Sequence, residues 1–149
     1  MTEASGLLLS RLNEGTNLPE IKRKITQEKI NLYAEASGDF NPIHIDESFA
    51  KKTPLGGTIA HGMLILAYVS QMMAAAFGQN WLNSGKLEVR FRNPARTGDA
   101  ITVSGRVAKI EAGEAETLVS CDILCQNQKG ETVITGEASV GVKKNENSG

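Results

Sequence analysis

Residues 58–78 include none with a formal charge. Ile59, Met63, Leu64, Ile65, Leu66, Val69, Met72, Met73 and Phe77 fall in this run together with five alanines, and no polar face can be drawn through it at helical spacing. A helix with such a surface is either buried on all sides or lies in a bilayer, and at roughly 30 Å it is nearly long enough to cross one. His61, Gly62, Ser70 and Gln71 interrupt the run, and no Lys or Arg cluster flanks it. The reading is therefore a helix, with Met63, Met72 and Met73 in the core, around which the rest of the chain must wrap.

The later part of the chain has the pattern for that wrapping. Leu87, Val89 and Phe91 alternate with Glu88, Arg90 and Arg92, and Ile101, Val103, Gly105 and Val107 alternate with Thr102, Ser104 and Arg106. The pattern shifts at Ala108 and Ile110, as a β-bulge would make it. Val119, Cys121, Ile123 and Cys125 share one face, and so do Ile134, Gly136, Ala138 and Val140. Period-two alternation over four segments argues antiparallel strands with one face buried, with turns at Gly113, Asn127 and Gly130. Upstream, residues 19–24 read as an edge strand. Thr26 caps a helix that carries Ile30, Tyr33 and Ala34 and ends at Gly38. Asp46 caps a short helix over 47–51, and 53–57 is a loop. The predicted fold class is α+β: an antiparallel sheet around a long central apolar helix. A chain of 149 residues suits one domain over 1–149, with flexible ends at about 1–10 and 143–149.

Composition narrows the function classes. The net charge is −1 with both signs mixed along the chain, and there is no basic block or aromatic-rich surface pattern, so nucleic acid is not the expected partner. Leu7-Leu8-Leu9 lacks the basic leader and the length of a secretory signal. Cys121 and Cys125 stand four apart in a strand, which places their Cα atoms roughly 13 Å from each other, too far for a disulfide. Two buried thiols fit a reducing compartment, so the cytoplasm is expected. A lone Cys-x3-Cys pair gives no metal site, and none is predicted.

The chemistry concentrates in Ser37-Gly38-Asp39-Phe40-Asn41-Pro42-Ile43-His44-Ile45-Asp46. Asp39 and His44 stand five apart across a turn forced by Gly38, Asn41 and Pro42, and together they can hold one water and move its protons. Which of the two takes the proton is left open, because the pair would titrate together. Gly62 opens the apolar helix, where backbone N–H groups lack intrahelical acceptors and the helix dipole adds positive potential. Its N–H is the candidate oxyanion donor. Asn41 holds the turn, Asp46 is a cap, and His61 is read as a structural residue at the helix start.

This motif resembles that of the MaoC-like dehydratases and (R)-specific enoyl-CoA hydratases. Tyr33, Ser37, Gly38, Asp39, Asn41, Pro42, His44, Asp46 and Ala50 fit the family signature. The likeness continues through His61-Gly62-Met63, Phe91-Arg92-Asn93-Pro94 and Gly98-Asp99, over roughly residues 25–142. The resemblance implies a hotdog fold and a lyase that adds water to a trans-2-enoyl thioester, giving a (3R)-hydroxyacyl thioester, or the reverse. Asp39 and His44 are then catalytic and the Gly62 N–H is the oxyanion donor. Ser70, eight residues past Gly62, matches a serine of the family's active-site pocket. Asn41, Ser70, Arg90 and Arg92 are the candidate substrate-binding residues, with Lys86, Arg96, Lys51 and Lys52 as further bases for carrier phosphates. The substrate would be an acyl-CoA or acyl-carrier-protein thioester, with no metal or redox cofactor. A homodimer is expected, both from the resemblance and because open sheet edges invite aggregation. Two other readings stand beside it. A hotdog thioesterase would need a carboxylate on the central helix, and residues 58–78 contain no Asp or Glu. A non-catalytic acyl-thioester-binding subunit would not need both Asp39 and His44.

Overall fold

The fold is that of a computed structural model, which describes residues 11–144. The Leu7-Leu8-Leu9 run and the terminal segments 1–10 and 145–149 lie outside the described residues. The chain runs through β1 (Ile21–Lys24), α1 (Gln27–Ser37), α2 (Pro42–Ile45), α3 (Glu47–Lys51), α4 (Gly62–Phe77), α5 (Gln79–Ser84), β2 (Lys86–Phe91), β3 (Ala100–Ala112), β4 (Glu116–Gln126) and β5 (Thr132–Lys143). One antiparallel sheet in the order β1-β3-β4-β5-β2 holds all five strands. Its inward face carries Ile101, Val103, Val119, Cys125, Ile134 and Val140, all fully buried against Ile65, Val69, Met72 and Met73 of α4 in one core. This is the expected hotdog arrangement, a curled sheet holding one long apolar helix.

The local rules hold at most element ends. Thr26 Oγ1 accepts the Lys29 N–H at 3.2 Å, and Asp46 Oδ1 accepts that of Phe49 at 3.0 Å. Gly38 ends α1 at φ +80°, a conformation that a side chain would resist. The strand register shifts between Val107 and Lys109, the bulge expected from the break in alternation. Asn127 Oδ1 closes the β4–β5 turn by accepting the N–H groups of Lys129 and Glu131, each at 3.0 Å.

Several expectations need correction. Helix α4 starts at Gly62, as expected, but it is shorter than the uncharged run, because Ala60 N–H donates to the Ala95 carbonyl at 2.7 Å and keeps the preceding segment extended. At 16 residues it is about 24 Å long, and no helix among the described residues is long and apolar enough to cross a membrane. Nor is it buried on all sides. The sheet covers one side only, leaving Met63, Ala67 and Gln71 exposed one turn apart, so Met63, at 57 % exposure, is not a core residue. Phe91, on the inward-facing register of an edge strand, is likewise 53 % exposed. Helix α5 was not expected, and Lys143 belongs to β5 rather than to a tail.

Cys121 and Cys125 are free and buried. Burial, with the Asp122 charge adding to it at Cys121, pushes both thiols up to about 12 from an ordinary value of 9.0. Folded thiols stay protonated where unfolded ones ionise, so this stability is fully present below pH 9 and is lost as pH rises toward 12. Ellman's reagent at pH 8 is expected to find no fast thiol in the native protein and two in denaturant. Rapid native labelling would contradict this burial.

Candidate active site

Three side-chain caps in succession shape the loop between α1 and α3. Ser37 Oγ accepts the Asp39 N–H at 3.2 Å, Asp39 Oδ1 accepts the Asn41 N–H at 3.2 Å, and Asn41 Oδ1 accepts the Ile43 N–H at 3.0 Å. Pro42 then occupies the first position of α2, where its missing N–H costs nothing. Asn41 is therefore the N-cap of a one-turn helix, and that turn carries His44.

A second segment, 58–61, crosses beneath this loop. Gln27 of α1 organises the crossing: its Oε1 accepts the Thr58 hydroxyl at 2.7 Å while its Nε2 donates to the His44 carbonyl at 2.8 Å. Ile59 N–H donates to the Ile43 carbonyl at 3.2 Å. In return His44 Nδ1 bonds to the Ile59 carbonyl at 2.8 Å. A carbonyl only accepts, so Nδ1 carries the proton and Nε2 is the free ring atom.

His61 follows, only 2 % exposed. Its Nε2 bonds to the Asp39 backbone carbonyl at 2.9 Å. Its ring stacks on His44 with centroids 3.9 Å apart and planes 24° from parallel, and meets Tyr33 at 4.8 Å and 53°. One donor atom from each of Asp39, His44 and His61 lies within 4.8 Å of the others. A water making two hydrogen bonds of about 2.8 Å at a tetrahedral angle spans about 4.6 Å, so this spacing suits a bridged water. A metal suits it less well. Stacked rings direct their in-plane lone pairs along separate planes, and an ion about 2 Å from one nitrogen would not lie in the plane of the other.

Gly62 comes next, at the start of α4. The first N–H groups of this helix to find a backbone acceptor among the described residues are those of Leu64 and Ile65, both on the His61 carbonyl at 3.0 and 3.4 Å. Among the described residues the Gly62 N–H has no acceptor, which leaves it to solvent or a ligand. Its Cα faces the Phe91 ring so closely that a Cβ there would stand 3.0 Å from Phe91 Cε1. A cavity of about 270 Å³ opens beside it. His44, Ile59, Gly62, Ile65, Phe91 and Val133 are among the residues lining it, and Arg92 and Asn93 add polar groups to its wall. Asp39 is not on that wall; it is exposed to solvent beside the two histidines.

The structure brings Asp39, His44 and Gly62 to one place through short segments, and Arg92 reaches the same cavity. Ser70 is not on the cavity wall. Two turns along α4, its hydroxyl accepts the Trp81 indole N–H at 3.0 Å. Arg90 and Arg92 line a groove with Glu88 and Glu137 on the outer face of β2 and β5. Arg96 is tied to the Leu55 carbonyl, and Lys51 pairs with Glu47 at 4.0 Å on the surface. Of the expected bases, Arg92 alone touches both groove and cavity. His61 stands at the start of α4, the structural place read for it in the sequence, but its stack on His44 and the part played by Gln27 carried no signal there.

The family described as MaoC like domain matches residues 12–128. Among curated proteins, a 3-hydroxybutyryl-CoA dehydratase of Methylorubrum extorquens is 34% identical over 132 residues, covering 85% of this chain and 78% of that protein. An (R)-specific enoyl-CoA hydratase of Rhodospirillum rubrum is 30% identical over 127 residues, covering 82% of this chain and 83% of that one. Among solved structures, an (R)-hydratase from Pseudomonas aeruginosa in its unliganded form superposes with a TM-score of 0.77 at 27% identity, over 91% of this chain and 85% of that chain.

Proposed function

The chain belongs to the MaoC-like domain family, and from that premise we propose that it is a hydro-lyase interconverting a trans-2-enoyl thioester and a (3R)-hydroxyacyl thioester. The observation that carries the reading is the placement of the Asp39 carboxylate and His44 imidazole within 4.8 Å of each other, beside the cavity that Gly62 opens. The names of the Methylorubrum and Rhodospirillum relatives support the same reaction class.

In the hydration direction, a water rests between the Asp39 carboxylate and His44 Nε2. The pair takes one proton from it as its oxygen bonds to the β-carbon. The electron pair of the double bond moves through the α-carbon onto the thioester oxygen, where the Gly62 N–H and the α4 dipole stabilise the developing charge. The pair then returns one proton to the α-carbon, and the enolate collapses back to the thioester. Both parts of the water reach the same face, because both come from one side of the substrate. Dehydration retraces these steps. Asn41 keeps the turn, and Arg92 is the base placed to meet the carrier arm. Ser70 is proposed to serve the same substrate from further along α4.

The reacting groups are open to solvent, with Phe40, Met63 and Phe91 exposed at 54, 57 and 53 %. A second copy covering this apolar surface and a sheet edge completes the proposal of a single-domain homodimer. The test is the loss of crotonyl-CoA absorbance without release of free thiol, with (R)-3-hydroxybutyryl-CoA as product, by a species of twice the chain mass in light scattering. Thiol release, the (S) product or a monomer of full activity would each contradict the corresponding part. No observation favours the thioesterase, since α4 carries no Asp or Glu.

A further inference from the structure

We propose that His61 is the positioning residue of this site, a single buried ring that sets both Asp39 and His44. The proposal rests on the reading above that those two side chains hold the reacting water. His61 stands at the N-cap of α4 but makes no side-chain cap hydrogen bond there, a task that Ser, Thr, Asp or Asn performs better. Its Nδ1 is buried and has no partner among the described residues, which carries a desolvation cost that an apolar ring would avoid. What the imidazole supplies in exchange lies on its other atoms.

The Nε2–H bond to the Asp39 carbonyl, at 2.9 Å, is the one described hydrogen bond that ties Asp39 to an element outside its own turn. Its other two bonds run to Ser37 and Asn41, which move with the loop. The flat face of the ring does the second task. His44 is held at Nδ1 by the Ile59 carbonyl, a bond about which its ring can still tilt, and the His61 face 3.9 Å away restricts that tilt. Tyr33 closes on His61 at 4.8 Å, so the stack is backed by α1. A donor and a flat face are needed at once, and an amide or a phenyl ring supplies only one of them.

Two variants of similar size separate the parts. His61→Phe keeps the face and removes the donor; His61→Gln keeps a donor near Nε2 and removes the face. Each is expected to lower kcat for crotonyl-CoA hydration between about tenfold and a hundredfold, with KM within about twofold, because misplacement of reacting groups acts on the chemical step. The His44 ring protons, shifted upfield by the stacked imidazole in the parent, are expected to move downfield in His61→Gln and less in His61→Phe. A kcat within twofold of the parent in both variants overturns the proposal, as do His44 signals unchanged in His61→Gln. If the parent does not hydrate crotonyl-CoA, the reaction assignment fails, and the NMR arm still decides whether His61 sets His44. If a variant does not fold, the parent spectrum decides: upfield His44 ring protons and a slowly exchanging His61 Nε2–H support the proposal, and their absence overturns it.

Discussion

Asp39→Asn is expected to lower kcat for enoyl-thioester hydration about a thousandfold, in the middle of the range for loss of a general acid or base, with an unchanged melting transition. The substitution is nearly isosteric. Asparagine keeps an Oδ1 to accept the Asn41 N–H, the bond by which Asp39 holds its own turn at 3.2 Å. Asp39 is exposed and makes no ion pair among the described residues, so little folding energy rests on its charge. What is lost is a carboxylate that can hold and exchange a proton. His44→Ala is expected to cost a similar factor by removing the free Nε2. The two losses should not multiply: groups that act as a unit on one water lose nearly everything with the first removal, so the double variant should fall within about tenfold of the worse single one. Stopped assays of crotonyl-CoA over long times reach the required sensitivity. Activity retained in Asp39→Asn would remove the carboxylate from the mechanism.

The second large effect is expected at Gly62. Proline there deletes the N–H itself and is otherwise suited to the place. It is accepted at the first position of a helix. The preceding residue, His61, already has φ −61° and ψ 137°, in the region that a residue before proline adopts. Gly62→Ala is the matched control, since it keeps the N–H and adds a similar Cβ. In both variants that carbon meets Phe91 Cε1 at about 3.0 Å, on a ring 53 % exposed and free to give way. The difference between the two therefore reads the N–H alone. An oxyanion donor is worth about 3 kcal/mol, so kcat of Gly62→Pro should lie roughly a hundredfold or more below that of Gly62→Ala. Equal losses would assign the effect to crowding by Phe91 and leave the donor role without support.

These residues differ in how far they can be read from the chain itself, and the differences have physical causes. The turn from Gly38 to Asp46 is local. Its shape follows from one left-handed glycine, a proline and three short polar side chains that bond within two or three residues. The strands are legible because one buried face imposes alternation, and even the bulge after Val107 leaves its mark as a break in that alternation. The environment of α4 is not legible in the same way. An uncharged surface at Met63 and Ala67 says that something apolar covers it, but not whether that cover is the chain's own sheet. Ser70 shows the same limit: two helical turns from Gly62 it fits a shared face, yet its hydroxyl is engaged by Trp81 from a helix that no periodicity announced. His61 depends on geometry across three segments. Its stack on His44, seventeen residues earlier, depends on a crossing of two segments that Gln27 of α1 bonds to at once, and no spacing rule connects those positions.

The account holds that one water, lodged between Asp39 and His44, gives up both of its parts to a single face of the double bond. Hydration of crotonyl-CoA in deuterium oxide, followed by NMR assignment of the relative configuration at the two new centres, reads that event directly. The expected product carries deuterium at the α-carbon and hydroxyl at the β-carbon in the syn relationship, as one diastereomer. An anti product, or a mixture of the two, would contradict it.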